Sequence, residues 1–195
     1  MPYDVKKDLK HLYAPKNTDW ALVDVPGQQF LAVDGRGNPN TAESYRQAVQ
    51  ALYAVAYTIR MAGGDFVVGP LEGLWWAEDY AAFTVRAKDS WQWTMLISLP
   101  GRIGEDTVQE ARESVRRKKK IDVPVRVEKL HEGRCAQALH IGPYDDEGPL
   151  LARLHGEFLP AHGLTPTGLH HEIYLGDPRR TDPAKLKTVL RQPVG

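Results

Sequence analysis

A chain of 195 residues that is 42% hydrophobic and 26% charged has an ordinary globular composition, long enough to bury one substantial core or two small repeated halves. Its 25 basic and 25 acidic residues cancel, which argues against a dedicated polyanion-binding protein, and its single cysteine, Cys135, excludes an intramolecular disulfide and suits a reducing cytoplasm. No run approaches the roughly 18 apolar residues of a spanning helix, and the opening MPYDVKKDLKHLYAPK lacks the apolar stretch of a signal peptide, so a soluble cytoplasmic protein is expected, without direct contact to nucleic acid or membrane.

Val5, Leu9 and Leu12 give YDVKKDLKHLY a short amphipathic helical pattern closed by Pro15. WALVDVPGQQFLAVDGRGNPN reads as two strands around a Pro-Gly turn. TAESYRQAVQALYAVAYTIRMAGG is the strongest helix, with Thr41 or Ser44 as its cap, an apolar stripe through Tyr45, Val49, Leu52, Val55, Ala56 and Ile59, and a stop at Gly63 and Gly64. DFVVGPLEGLWWAEDYAAFTV and WQWTMLISLP follow as strands. GEDTVQEARESVRRKKK is a helix with acids in its first turn and bases in its last, matching the helix dipole. VPVRVEKLHEGRCAQALHIGPYDD returns to strand, DEGPLLARLHGEFLPAHG is a shorter helix, GLHHEIYLGD is a strand, and DPAKLKTVLRQPV closes the chain as a turn and a final strand.

The two parts of this order echo each other. A strand ending in VDGRGNPN is followed by a helix and then by GPLEGLWWAED; a strand ending in LHIGPYDD is followed by a helix and then by TGLHHEIYLGD. The pattern predicts an α+β fold of two β-α-β-β halves, 18–100 and 122–195, with a short N-terminal helix and a connecting helix at 104–120. A cleft between such halves is a natural ligand site.

Alternation in GLHHEIYLGD places His170, Glu172 and Tyr174 on one strand face and His171, Ile173 and Leu175 on the other, and Ile173 and Leu175 mark the second face as the packed one. The first face is either an ordinary solvated sheet surface or one wall of a cleft, in which a desolvated carboxylate would tend toward a raised pKa. Trp75, Trp76, Trp91 and Trp93 fall in a short span, and Trp91 and Trp93 share a face. Tryptophans are commonly core residues, but an aromatic wall beside an acid suits a flat, apolar, often cationic ligand. Tyr144, after Gly-Pro at the start of the third helix, is a turn residue or a lip of the cleft; Glu72 has no clear assignment.

Other chemistries find little support. His170 and His171 point to opposite faces, His155 and His162 lack helical ligand spacing, and no HExxH, CxxC, GxSxG or phosphate-loop pattern occurs, so neither a metal nor a cofactor is expected. Cys135 reads as a small core residue. The RRKKK run at 116–120 is the basic end of a helix rather than a nucleic-acid patch.

The stretches DLKHLYAPK, VDVPGQQFLAVDGRGNPN, YRQAVQALYAVAYTIR, GPLEGLWWAE, HIGPY and HHEIYLGDPRRTDPAKLKTVLRQPV together resemble the gyrase-inhibitor-like (GyrI-like) small-molecule-binding proteins, over nearly the whole chain. The resemblance implies tandem β-α-β-β (SHS2-type) modules with pseudo-twofold symmetry and a ligand cleft between them, in a monomer or weak dimer. Some relatives are sensor halves of multidrug-responsive activators; no helix-turn-helix precedes the module here. The stand-alone branch is similar to hydrolases that open the cyclopropane of DNA-alkylating cyclopropanoids and so protect the cell. By position, the family's pocket acid corresponds to Glu172, with Tyr174 on the same strand face, and Trp75, Trp76, Trp91 and Trp93 correspond to the aromatic walls; Glu172 and Tyr174 are the expected catalytic pair, and Tyr144 and His170 are expected to line the ligand. The resemblance thus implies hydrolysis of a planar, strained, electrophilic aromatic xenobiotic. Sequestration of lipophilic or cationic drugs without turnover, or a gyrase-protecting interaction, stands as the alternative.

Overall fold

The computed structural model describes residues 2–78 and 87–195; the part of the third expected strand that continues through 79–86 lies outside them. Among the described residues eight strands run as β1 Ala21–Val25, β2 Gln28–Arg36, β3 Leu71–Trp76, β4 Gln92–Ser98, β5 Arg126–Leu130, β6 Gly133–Ile141, β7 His170–Tyr174 and β8 Lys187–Pro193. They form one antiparallel sheet in the order β1-β6-β8-β7-β3-β4-β2-β5, so the architecture is α+β. The strands flanking the Pro26-Gly27 turn do not pair with each other: β1 hydrogen-bonds to β6, and β2 to β4 and β5. At the middle of the sheet β3 pairs with β7, setting Gly73 opposite Glu172 and Trp75 opposite His170.

The helices among the described residues include α1 Val5–Asp8, α2 Lys10–Tyr13, α3 Glu43–Ile59 and α4 Glu105–Lys119, followed by a segment, 148–162, that contains a π-helical turn at Leu154–Phe158. Alternation of apolar residues along β2 and β4 gives a face on which α3 and α4 pack, joining Leu31, Val33, Met95 and Ile97 to Leu52, Val55, Val108 and Val115. The 148–162 segment covers Ala136, Ala138 and Leu190 on the same side through Leu150, Leu154 and Leu159. On the other side α1 and α2 bring Val5, Leu12 and Tyr13 against Cys135, Ile173 and Val189.

Two local expectations change. The N-cap of α3 is Ala42, without a side-chain bond. Neither Thr41 nor Ser44 caps it, because the chain leaves β2 with the Ser44 hydroxyl turned toward the Arg36 carbonyl. Acids Glu105 and Asp106 do open α4 and Arg116 to Lys119 close it, ending at Lys120 in the left-handed conformation. The basic run is therefore complementary to a helix C-terminus, which accounts for it without a polyanion.

Trp93 is the largest fully buried side chain, and its ring occupies the space that Gly35 leaves on the paired strand. A Cβ at Gly35 would lie 2.0 Å from the Trp93 ring. Gly35→Ala is therefore expected to cost at least about 2 kcal/mol, the upper range of overpacking in a tight core; urea unfolding measures it, and an unchanged midpoint would refute the packing assignment.

Candidate functional site

The alternation expected for β7 is present: His170, Glu172 and Tyr174 are partly exposed, whereas His171 and Ile173 are fully buried. The Glu172 side chain is only 14% exposed, and both its oxygens are held. His170 Nε2 donates to Oε1 at 2.9 Å and the Tyr174 hydroxyl donates to Oε2 at 2.7 Å. Trp75 Nε1–H in turn donates to the Tyr174 oxygen at 2.9 Å, tying β3 to β7. Glu147, which follows the Tyr144–Asp146 turn, also hydrogen-bonds Glu172.

The sequence suggested a raised pKa for Glu172; the structure gives the opposite direction. Burial does push the carboxyl upward, but the hydrogen bond and charge of His170, with the hydrogen bonds of Tyr174 and Glu147, outweigh it and hold Glu172 below the usual carboxylate range. Tyr174 is driven well above the ordinary phenol value by burial and by the neighbouring Glu172 charge, so it remains a neutral donor. Burial raises Tyr45 in the same way, and burial with the charges of Glu147, Glu172 and Asp177 pushes Tyr144 up to about 12. The arrangement is an ionised carboxylate among three protonated phenols.

The aromatics divide by role. Trp75, on the Glu172 face, meets Trp91 edge-on at 5.8 Å and Tyr45 at 6.2 Å. Tyr144 meets Tyr174 edge-on at 5.6 Å from the other side, which makes it a flank of the cluster rather than a free turn residue. Lys88 lies over the Trp91 ring at 5.8 Å and pairs with Asp145 at 3.2 Å, linking the Trp91 side to the Tyr144 turn. Trp93 does not join Trp91 in an open wall: it is wholly buried behind Tyr45, 5.3 Å away edge-on, because its ring fills the Gly35 gap. Trp76 points to the opposite sheet face, against Phe30, Ala32, Leu74 and Leu96, as its odd-even neighbour to Trp75 must.

Beneath this cluster, on that opposite face, Glu72 is fully buried and is no part of a cleft lip. Cys135 is a buried core residue whose thiol burial pushes up to about 12, which removes it as a nucleophile at neutral pH. Among the described residues no group of three or more His, Cys, Asp or Glu side chains is placed to hold a metal ion, and no helix is long and apolar enough to cross a membrane.

The profile of the GyrI-like small-molecule-binding domain matches residues 19–194. The chain belongs to the GyrI-like family. Its fold is similar to that of an uncharacterized conserved protein from Listeria innocua at 41% identity and a TM-score of 0.91, covering 99% of this chain and all of that one. It is also similar to two Listeria innocua proteins described as hydrolases: one at 40% identity and TM-score 0.86, covering 99% of this chain and all of that one, the other at 39% and 0.91, with both chains fully covered. The C-terminal domain of EcmrR shares the fold alone, at 12% identity and TM-score 0.59 over 91% of this chain and 97% of that one. No curated protein matches.

In this GyrI-like chain sequence reasoning missed two members of the cluster. Tyr45 belongs by its period to the apolar stripe of α3, and Glu147, three residues after Tyr144, carries no local signal; only the packing of α3 and the 144–146 turn over β3 and β7 brings them to Glu172. Gly73 is a third. It faces Glu172 across the strand pair, and a Cβ there would lie 2.7 Å from Trp75 Nε1 and 3.3 Å from Met95 Sδ. Gly73→Ala is expected to push the indole away from Tyr174 and, with that hydrogen bond lost, to weaken ligand binding by about 1 kcal/mol, roughly fivefold in Kd. Tryptophan quenching by a planar aromatic ligand measures it; equal affinity in both proteins would remove Trp75 from the site.

Proposed function

We propose that this protein hydrolyses planar, strained, electrophilic aromatic compounds, with a spirocyclopropyl-dienone as the type substrate, and thereby protects the cell from DNA-alkylating agents. The observation that carries the reading is Glu172, an ionised carboxylate held by His170 and Tyr174 in an aromatic enclosure. Relatives described as hydrolases at about 40% identity lend it weight.

The chemistry asks little of the protein. Glu172 takes a proton from water as the water oxygen bonds to the cyclopropane methylene carbon. The carbon–carbon bond to the spiro centre breaks, and its electron pair aromatises the dienone to a phenolate. The developing oxyanion then needs a proton donor, and Tyr144 and Tyr45 are phenols that burial and neighbouring charge keep protonated beside the carboxylate. His170 and Tyr174 fix the carboxylate orientation, so little reorganisation accompanies proton transfer. Trp91, half-buried against the edge of Trp75, offers ring surface to the flat substrate, and Trp75 backs it from the core.

A carboxylate among aromatic rings also suits a lipophilic cation bound without turnover. Multiple-turnover incubation with a cyclopropanoid alkylator, following gain of water by mass, separates the two. Product in excess of enzyme establishes the hydrolase. Tryptophan quenching with no product in any condition establishes a sequestering protein instead.

A further inference from the structure

A second polar cluster lies on the buried face of the same two strands. His171 is fully buried between two carboxylates, with Nε2 2.9 Å from Glu72 Oε2 and Nδ1 2.9 Å from Glu132 Oε1. Both ring nitrogens face acceptors, so both carry protons and the ring is an imidazolium. Glu72 accepts a second bond from the Tyr13 hydroxyl at 2.7 Å, and Tyr13 also accepts from Gln28 Nε2 at 3.1 Å. Arg191, itself fully buried, donates Nη1 to Glu132 Oε2 at 2.9 Å and Nε to Gln137 Oε1 at 3.0 Å. Two carboxylates and two cations thus balance inside the protein.

We propose that this ion cluster is a positioning device for Glu172: His171 and Glu72 lock β7 in register with β3 from below, so that His170, Glu172, Trp75 and Tyr174 meet above in one arrangement. The proposal rests on Glu172 being the functional acid. Apolar packing at these positions would commonly be as stabilising as a buried ion pair or more so, which leaves specification of register as the distinctive gain. The strand geometry makes that gain large. A shift of β7 by one residue would carry His171 out to the ligand face and drive His170 or Glu172 into the carboxylate pair. His171 is also the residue between His170 and Glu172, so whatever fixes its ring below fixes their backbone above.

The test compares His171→Gln and Glu72→Gln with Val189→Ala, which opens a cavity in the same buried layer opposite Ile173 without touching the ions. Exchange of the Trp75 indole N–H, protected by Tyr174, reads the site in ligand-free protein by NMR. Either Gln variant is expected to accelerate it about tenfold and to lower kcat by roughly 100-fold with little change in KM, while Val189→Ala leaves both near the wild-type values. Should His171→Gln not fold, Glu72→Gln carries the test, since its amide keeps the volume and can still accept from Tyr13. Unchanged indole exchange in a folded Gln variant overturns the proposal, as does an equal acceleration in Val189→Ala. A wild-type protein without turnover would count against the hydrolase alone, because the indole exchange needs no substrate.

Discussion

Glu172→Gln is expected to lower turnover of a cyclopropanoid substrate by about 10²- to 10⁴-fold, the span of a positioned general base, while Tm and tryptophan quenching stay close to wild type. The amide preserves the volume and can accept one hydrogen bond, from His170 or from Tyr174, but it cannot take a proton from water. The pH profile follows from the same geometry. A base acts when ionised, and Glu172 lies below the ordinary 4.5, so activity on the acid side should persist to pH values under 4.5 as far as the fold allows. Tyr174→Phe removes one donor to the carboxylate and the acceptor of Trp75 Nε1–H; its loss should be smaller, and its acid limb should move up toward the ordinary value. Mass-detected turnover across pH measures all three proteins. Full activity in Glu172→Gln would end the role given to this acid, and an unshifted limb in Tyr174→Phe would assign the profile to another group.

Glu132→Gln should be strongly destabilising. It leaves the His171 imidazolium and Arg191 with only Glu72 to balance them inside the fold, a defect of about 3–5 kcal/mol, or roughly 10 °C in Tm for a chain of this size. The wild-type protein should also show a stability plateau bounded by the same two groups. Burial opposes ionisation of Glu132, but the charge and hydrogen bonds of His171 and Arg191 dominate and bring it from 4.5 down to about 2, so its contribution is complete above 4.5 and is lost as pH falls toward 2. His171 is likewise opposed by burial but raised from 6.5 to about 9 by Glu132 and Glu72, so its contribution is complete below 6.5 and is lost as pH rises toward 9. The two shifts describe largely one interaction and do not add. Chemical denaturation from pH 3 to 10 should give a plateau between about 4.5 and 6.5 that Glu132→Gln lowers, with the fall on its acid side reduced. A flat profile above 6.5 would show that His171 is not charged in the fold.

The readable and the unreadable parts of this protein separate by the range over which their causes act. Helix α3 and the alternation in β7 are set by residues close in sequence, so both could be read, including the face shared by His170, Glu172 and Tyr174. The direction of the Glu172 shift could not, although its main causes, His170 and then Tyr174, are two residues away, because packing against β3 decides whether those side chains turn onto the carboxylate. Alternation pairs Trp93 with Trp91 on one face, yet the place of its ring is decided by Gly35 on the adjoining strand, a fact of register. His171 was read as belonging to a packed face, which is right, but its partners Glu72, Glu132 and Arg191 come from β3, the β5–β6 turn and β8. No local pattern marks charges that become neighbours only when the sheet closes.

The exchange of outer strands has a consequence for synthesis. Val23 in β1 must wait for Cys135, and Gly73 for Glu172, so a chain emerging from the ribosome exposes strand edges long before their partners exist. Until β6 appears, the first part can assemble β2, β3 and β4 with α3, but β1 stays unpaired and the β3 edge lies bare. Such long-range pairing slows folding and leaves edges open to wrong partners. The interval between translating β1 and translating β8 is therefore the period in which those edges stand open.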